Sequence, residues 1–141
     1  MGRILAIDYG RKRCGIAVTD PLQLIANPLG TVETHRLWDF LADYMGKEEV
    51  ECVVVGEPRQ MDYTPSESEK YIRPFLGRFR KAYPAIRLER EDERFTSKMA
   101  FAAMLEGGLK KKQRKDKALV DATSAALILQ SYMQRQESGR V

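Results

Sequence analysis

Four carboxylates in this chain stand where they could do chemistry: Asp8, Glu57, Glu93 and Asp121. Asp8 closes the apolar run Ile4–Ile7, and three cations, Arg11, Lys12 and Arg13, follow almost at once. Glu57 ends the β-branched run Glu51-Cys-Val-Val-Val-Gly56, and Glu93 follows the alternating stretch Ile86–Arg90. Asp121 shares a helical stripe with Ala118, Ala125, Ile128, Leu129 and Tyr132. An ionised carboxylate on such a stripe is costly unless something pairs with it. A salt bridge would satisfy Asp121. The chemical alternative is a divalent cation shared with Asp8, because hard cations take oxygen ligands. Asp8, Asp121 and one of Glu57 or Glu93 would then converge, and converging acids repel one another unless Mg²⁺ or Mn²⁺ joins them. Two such ions, about 3.5–4 Å apart, can activate a water and stabilise the leaving oxygen in phosphodiester hydrolysis. Arg11, Lys12, Arg13 and Arg94 would hold the flanking phosphates.

The elements that must position these groups follow from pattern. Ile4–Ile7 and Cys14–Val18 read as two strands joined by a tight turn, in which Gly10 is expected to take positive φ. Leu24–Val32 reads as a third strand, bulged or at an edge because of Asn27-Pro28. Leu37, Phe40, Leu41 and Tyr44 share one helical face, and Gly46 is expected to end that helix. After the fourth strand, Glu51–Gly56, the sequence Thr64-Pro65-Ser66-Glu67 is a capping box. It opens a helix that runs towards Tyr83, with a kink expected at Pro74. Ile86–Arg90 is the fifth strand. Thr96 starts a helix through Leu105, closed by Gly107-Gly108, and a last helix covers Ala118–Gln134. The order β-β-β-α-β-α-β-α-α predicts an α/β fold with a mixed five-stranded sheet and helices on both faces. The first three strands should form an antiparallel meander, and the later two should lie parallel to the first. Ligands gather at the carboxyl ends of parallel strands, where Asp8 and Glu57 fall and which Glu93 just follows.

Composition bounds the partners. At 141 residues the chain reads as one domain, 1–141, with a hydrophobic fraction of 43% and a charged fraction of 31%. No apolar run approaches the ~18 residues of a membrane helix, and the amino terminus enters a strand without a signal-peptide pattern. Cys14 and Cys52 sit in strands and are read as buried, reduced thiols of a cytoplasmic protein. His35, the single histidine, has no cysteine or histidine cluster beside it, which argues against zinc. The net charge is +4, but KKKQRKDK at residues 110–117 carries +5, leaving −1 for the rest. Lys110, Lys111, Lys112, Arg114 and Lys115 thus form a local basic segment suited to a polyanion; the plainer reading is a solvated loop.

The stretches AIDYGRKRCGIAVTD, VVVGEPRQMD, EDERFTSKMA and DATSAALIL, in that order, resemble the YqgF/RuvX family over essentially the whole chain. The first also resembles the phosphate loop of actin/Hsp70-type ATPases, which need two such domains and a far longer chain. The family resemblance implies a ribonuclease H-like fold related to Holliday-junction resolvases. It further implies a nuclease of ribosome biogenesis that matures the 5′ end of pre-16S ribosomal RNA, with resolution of branched DNA as the alternative. A catalytically silent RNA-binding assembly factor is a third reading. Structured RNA, in a ribosomal precursor particle, is the implied partner. By motif, Asp8 matches the first-strand acid, Glu93 the acid of the Asp-Glu-Arg motif, and Asp121 the helix acid. The family often carries leucine where this chain has Glu57, which sits where related resolvases place their second acid. Strand adjacency favours Glu57 as that acid, motif identity Glu93; Glu93 is preferred. Those resolvases also carry an acid one turn before the helix aspartate, where this chain has Ala118.

Overall fold

The computed structural model describes residues 2–58, 67–92 and 117–138, with the side chains of 117–121 and 137–138 outside that description. The strands are β1 (Arg3–Asp8), β2 (Arg13–Thr19), β3 (Ala26–Glu33), β4 (Val50–Glu57) and β5 (Arg87–Asp92). The helices are α1 (Leu37–Lys47), α2 (Glu69–Ala82) and α3 (Lys117–Ser138), with a short 3-10 turn at Thr34–Arg36. Of the expected capping box, Thr64-Pro65-Ser66-Glu67, only Glu67 is a described residue, and it lies with Ser68 in a turn before α2, which starts at Glu69; the helix expected from Thr96 lies outside the described residues.

The sheet order is β3-β2-β1-β4-β5. β1 pairs antiparallel with β2, and β2 with β3, while β1–β4 and β4–β5 are parallel. The meander and the parallel half therefore match the sequence reading, and β1 lies at the centre. β3 is the edge, and its ladder slips between Ile16 and Ala17, which pair with Gly30 and Pro28. Leu29 is the extra residue of that bulge, as proline without an N–H requires at an edge.

Each central strand buries both faces. Leu5, Ile7, Ile16, Val53 and Val55 pack with Leu37 and Leu41 of α1 and with Ile72, Phe75, Leu76 and Phe79 of α2. Ile4, Ala6, Ala17, Cys52 and Val54 pack instead against Ala125, Ala126, Ile128, Leu129 and Tyr132 of α3. The period-2 alternation of a strand makes this division, and it explains why β1 and β4 read as continuous apolar runs. Cys14 and Cys52 are buried and free; burial raises the Cys52 thiol pKa, and its sulfur lies 3.8 Å from the Tyr132 hydroxyl. His35 is exposed and lies 3.2 Å from Glu33.

Three expectations are corrected. β3 starts at Ala26, not Leu24, because the Leu24 and Ile25 amides donate to Asp20 Oδ1, both at 2.8 Å, and so leave the ladder. That donation, the Ile25 amide first, holds the Asp20 carboxyl below its usual pKa. α1 runs past Gly46 to Lys47, ending where the Glu48 amide donates to the Tyr44 carbonyl. Gly10 does not take positive φ; among the described residues only Gln23 and Gly30 do. The glycine is required by close approach instead, since a Cβ there would lie 2.3 Å from the Arg13 carbonyl oxygen. Thr34 fastens the same loop, its hydroxyl donating to the Gly10 carbonyl at 2.6 Å and its amide to the Lys12 carbonyl at 3.0 Å. Gly10→Ala must therefore displace backbone; we expect a loss of about 1–3 kcal/mol in urea unfolding, and an unchanged midpoint would contradict this account of the turn.

Candidate active site at the carboxyl edge of the sheet

Asp8 is the last residue of the central strand. Alternation sets it with Ile4 and Ala6 on the face that α3 covers. Its cross-strand partner on β2 is Gly15, and Ile7 is aligned with Val55 on β4, so the residue that follows on β4 is Gly56. Asp8 is thus flanked on both neighbouring strands by positions without a side chain. An acid between two glycines at a strand end can be approached laterally by a bulky anion or a hydrated cation.

The other carboxylates sort by the same parity. Val53 and Val55 face α1 and α2, and Glu57 follows them on that side. There the Arg90 guanidinium lies 3.9 Å from Glu57 Oε2. Arg90 is the centre of a cluster: its Nη2 donates to Glu69 Oε1 at 2.6 Å and to the Gly56 carbonyl at 2.9 Å, and its Nε donates to the Val55 carbonyl at 3.1 Å. Glu69, buried at the first residue of α2, also meets Arg73 at 3.5 Å. Glu91 takes the opposite side, buried against α3, where it accepts from Ser131 at 2.6 Å and pairs with Arg135 at 2.8 Å. Asp92, aligned with Glu57, returns to the α2 side. The expected adjacency of the strands that carry Asp8 and Glu57 is therefore present, but the two side chains leave the sheet on opposite faces.

Arg11 and Lys12 are exposed in the loop after Asp8, and Arg13 opens β2 opposite Glu33. Arg11 lies over the Tyr71 ring of α2, 5.3 Å from its centroid. Tyr9 packs on Phe75 with centroids 5.1 Å apart, and burial, then the nearby Cys14, raises its pKa. Asp121 belongs to α3, four residues before buried Ala125, with its side chain outside the description. Glu93, Arg94, Lys110, Lys111, Lys112, Arg114 and Lys115 lie outside the described residues. Among the described residues no three acids, histidines or cysteines cluster as metal ligands.

The RuvX family, described as Holliday junction resolvase, matches residues 2–135. The chain belongs to this family. A Christiangramia forsetii protein named "Putative pre-16S rRNA nuclease" is 59% identical over 133 residues, covering 94% of this chain and 98% of its own. A Porphyromonas gingivalis protein of the same name is 59% identical over 133 residues, covering 94% of this chain and 96% of its own. Among solved structures, T. thermophilus RuvC in complex with a Holliday junction substrate aligns with a TM-score of 0.53 and 24% identity over 96% of each chain. That likeness speaks to fold, and with the sheet order it makes this RuvX-family chain ribonuclease H-like.

Arg90 and Glu69 were not singled out from the sequence, although the signal was there. Arg90 shares strand parity with Leu88, and Glu69 shares the helical stripe of Ile72, Leu76 and Phe79. Breaking a buried pair by removing one partner costs roughly 3–5 kcal/mol, because a buried charge is stranded. We expect Arg90→Met to lose stability on that scale in urea unfolding, and Glu69→Leu/Arg90→Met to regain most of it. A double variant no more stable than Arg90→Met would show that the cluster's role is to hold the β4 carbonyls.

Proposed function

We propose that this RuvX-family protein is a metal-dependent endonuclease that hydrolyses phosphodiester bonds of structured RNA. Its place would be the 5′-end maturation of pre-16S ribosomal RNA, in the cytoplasm and on a ribosomal precursor particle. The observation that carries the reading is Asp8 at the carboxyl end of the central strand, between glycine positions and beside exposed Arg11 and Lys12. The names of the relatives and the family description supply the substrate class, nucleic acid. Among the described residues no helix is long and apolar enough to cross a membrane.

We assign the metal-binding and catalytic roles to Asp8, Glu93 and Asp121. Support for Glu93 over Glu57 comes from two facts. Glu57 has Arg90 beside it on the α2 side, whereas Glu93 directly follows β5 with the sequence parity of Glu89 and Glu91. The donor set fits a hard divalent cation, Mg²⁺ or Mn²⁺, because it is all carboxylate oxygen. Nucleases of this fold generally use divalent metals, and a pair of such ions, once bound, would supply an activated water and charge neutralisation at the phosphate.

The chain's own contribution is positioning. Pairing of β1 on both sides holds the Asp8 backbone, and Thr34 and Gly10 fix the loop that follows. That loop presents Arg11 and Lys12 to phosphates next to the acid, which sets the register of the strand and carries no sequence information. Lys110, Lys111, Lys112, Arg114 and Lys115, together with Arg13 and Arg94, would add sequence-independent attraction. A second reading, junction-resolving deoxyribonuclease, draws on the family description.

Precursor 16S RNA fragments and a four-way DNA junction, each with Mg²⁺ or Mn²⁺, decide between them. We expect RNA to be cleaved, Asp8→Asn to abolish cleavage while binding is kept, and Glu93→Gln to lose at least ~10²-fold, the lower range for a positioned catalytic group. Glu57→Gln should cost far less. Cleavage by Asp8→Asn at the wild-type rate would sink the assignment, and the reverse ranking of the two glutamates would make Glu57 the second acid.

A further inference from the structure

Outside the basic segment at 110–117 the chain sums to −1, so a net-positive element there stands out, and α2 is one. This helix carries five cations, Lys70, Arg73, Arg78, Arg80 and Lys81, against one carboxylate, Glu69. Glu69 is buried and held by Arg90, so the cations face outward on a helix whose apolar side is fully used by Ile72, Phe75, Leu76 and Phe79. Among the described residues no carboxylate pairs with Lys70, Arg80 or Lys81. Arg78 is spread over the Trp38 ring, 4.2 Å from its centroid. Uncompensated like charges along one helix face repel one another and gain only when an anion joins them.

A second, independent feature lies in the middle of the same face. Gly77 is exposed, and a Cβ built there would meet nothing within 4 Å. Glycine inside a helix is less favourable than alanine, and no close approach among the described residues requires it. Exposed Pro74 stands one turn earlier on the same side. The helix therefore has a bare, flat waist with cations before and after it, shaped for close approach by a backbone from outside.

The placement of α2 says which backbone. Its first residue is tied by Arg90 to the carboxyl ends of β4 and β5, and Arg11, from the loop after Asp8, covers Tyr71 in its first turn. Its other end leads through Tyr83 into the start of β5. The stripe from Lys70 to Lys81 thus begins beside the candidate site and runs about 16 Å away from it, at 1.5 Å per residue.

We propose that the exposed side of α2 is a track for the phosphate backbone of the substrate strand where it leaves the site. Arg11 and Tyr71 form its entrance, Gly77 its point of closest approach, and Lys70, Arg80 and Lys81 its phosphate contacts. The proposal rests on the nucleic-acid reading above and extends it to α2, whose cations are not those of residues 110–117.

The test is binding of a fluorescein-labelled single-stranded RNA, followed by anisotropy in the Asp8→Asn background at salt concentrations of roughly 50 to 200 mM. Lys70→Ala/Arg80→Ala/Lys81→Ala should weaken binding at least tenfold at the lower salt. It should also reduce the salt slope by about 2, since each single-strand phosphate contact contributes about 0.7. Gly77→Gln, which alters no charge and whose Cβ would meet nothing within 4 Å among the described residues, should weaken binding several-fold with its helix content kept. Unchanged affinity and slope in the triple variant would overturn the proposal and leave the surface to an acidic protein. A loss confined to the triple variant, with Gly77→Gln binding as before, would overturn it too, because diffuse attraction needs no close approach. Cleavage is read separately, in the protein with Asp8 intact, so binding along α2 without hydrolysis there would sink the nuclease reading and keep this one.

Discussion

The parallel pairing of β1 with β4, with Ile7 aligned to Val55, is the constraint on which the rest depends. Because side chains alternate across a strand, this register decides which acids can meet. Asp8 goes to the α3 face, and Glu57 goes to the α2 face, where Arg90 waits. A slip of one residue would bury the wrong set on both sides of two fully apolar strands, so the core itself enforces the sorting. The site is in this sense a by-product of packing.

The two faces are built of different materials. On the α3 side small residues meet, Ala6 and Ala17 against Ala125 and Ala126, so the helix that carries Asp121 can lie close to the sheet. On the α2 side an aromatic series connects Tyr9, Phe75, Phe79 and Tyr83, with successive centroids 5.1, 6.1 and 5.2 Å apart, and Trp38 joins it at Phe75. Such pairs contribute about 0.5–1.5 kcal/mol each beyond their buried area. Tyr9 belongs both to this series and to the loop after Asp8. The loop that follows Asp8 is therefore held from the face opposite that acid.

Much of this was legible in the sequence. The runs Ile4–Ile7 and Cys52–Val55 announced doubly covered strands, Asn27-Pro28 announced a bulged edge, and the stripe Ala125, Ile128, Leu129, Tyr132 announced the face of α3. What escaped depended on contacts between distant residues. Gly10 looked like a positive-φ glycine because sequence shows a turn and not the carbonyl that would meet its Cβ. Gly46 looked like a helix stop, yet an exposed glycine costs only about 1 kcal/mol and the helix ran one residue further. Strand adjacency made Glu57 attractive, while its parity with Val53 and Val55, equally visible, pointed away from Asp8. The charge on α2 is spaced along the helix among its apolar residues, so it forms no run of the kind that KKKQRKDK shows.

The central claim is that Asp8, and not Glu57, serves the metal. Titrating Mn²⁺ into the wild-type protein, Asp8→Asn and Glu57→Gln by calorimetry tests it without any substrate. The account predicts that Asp8→Asn loses the Mn²⁺ isotherm and that Glu57→Gln keeps it. Retention by Asp8→Asn together with loss in Glu57→Gln would contradict it.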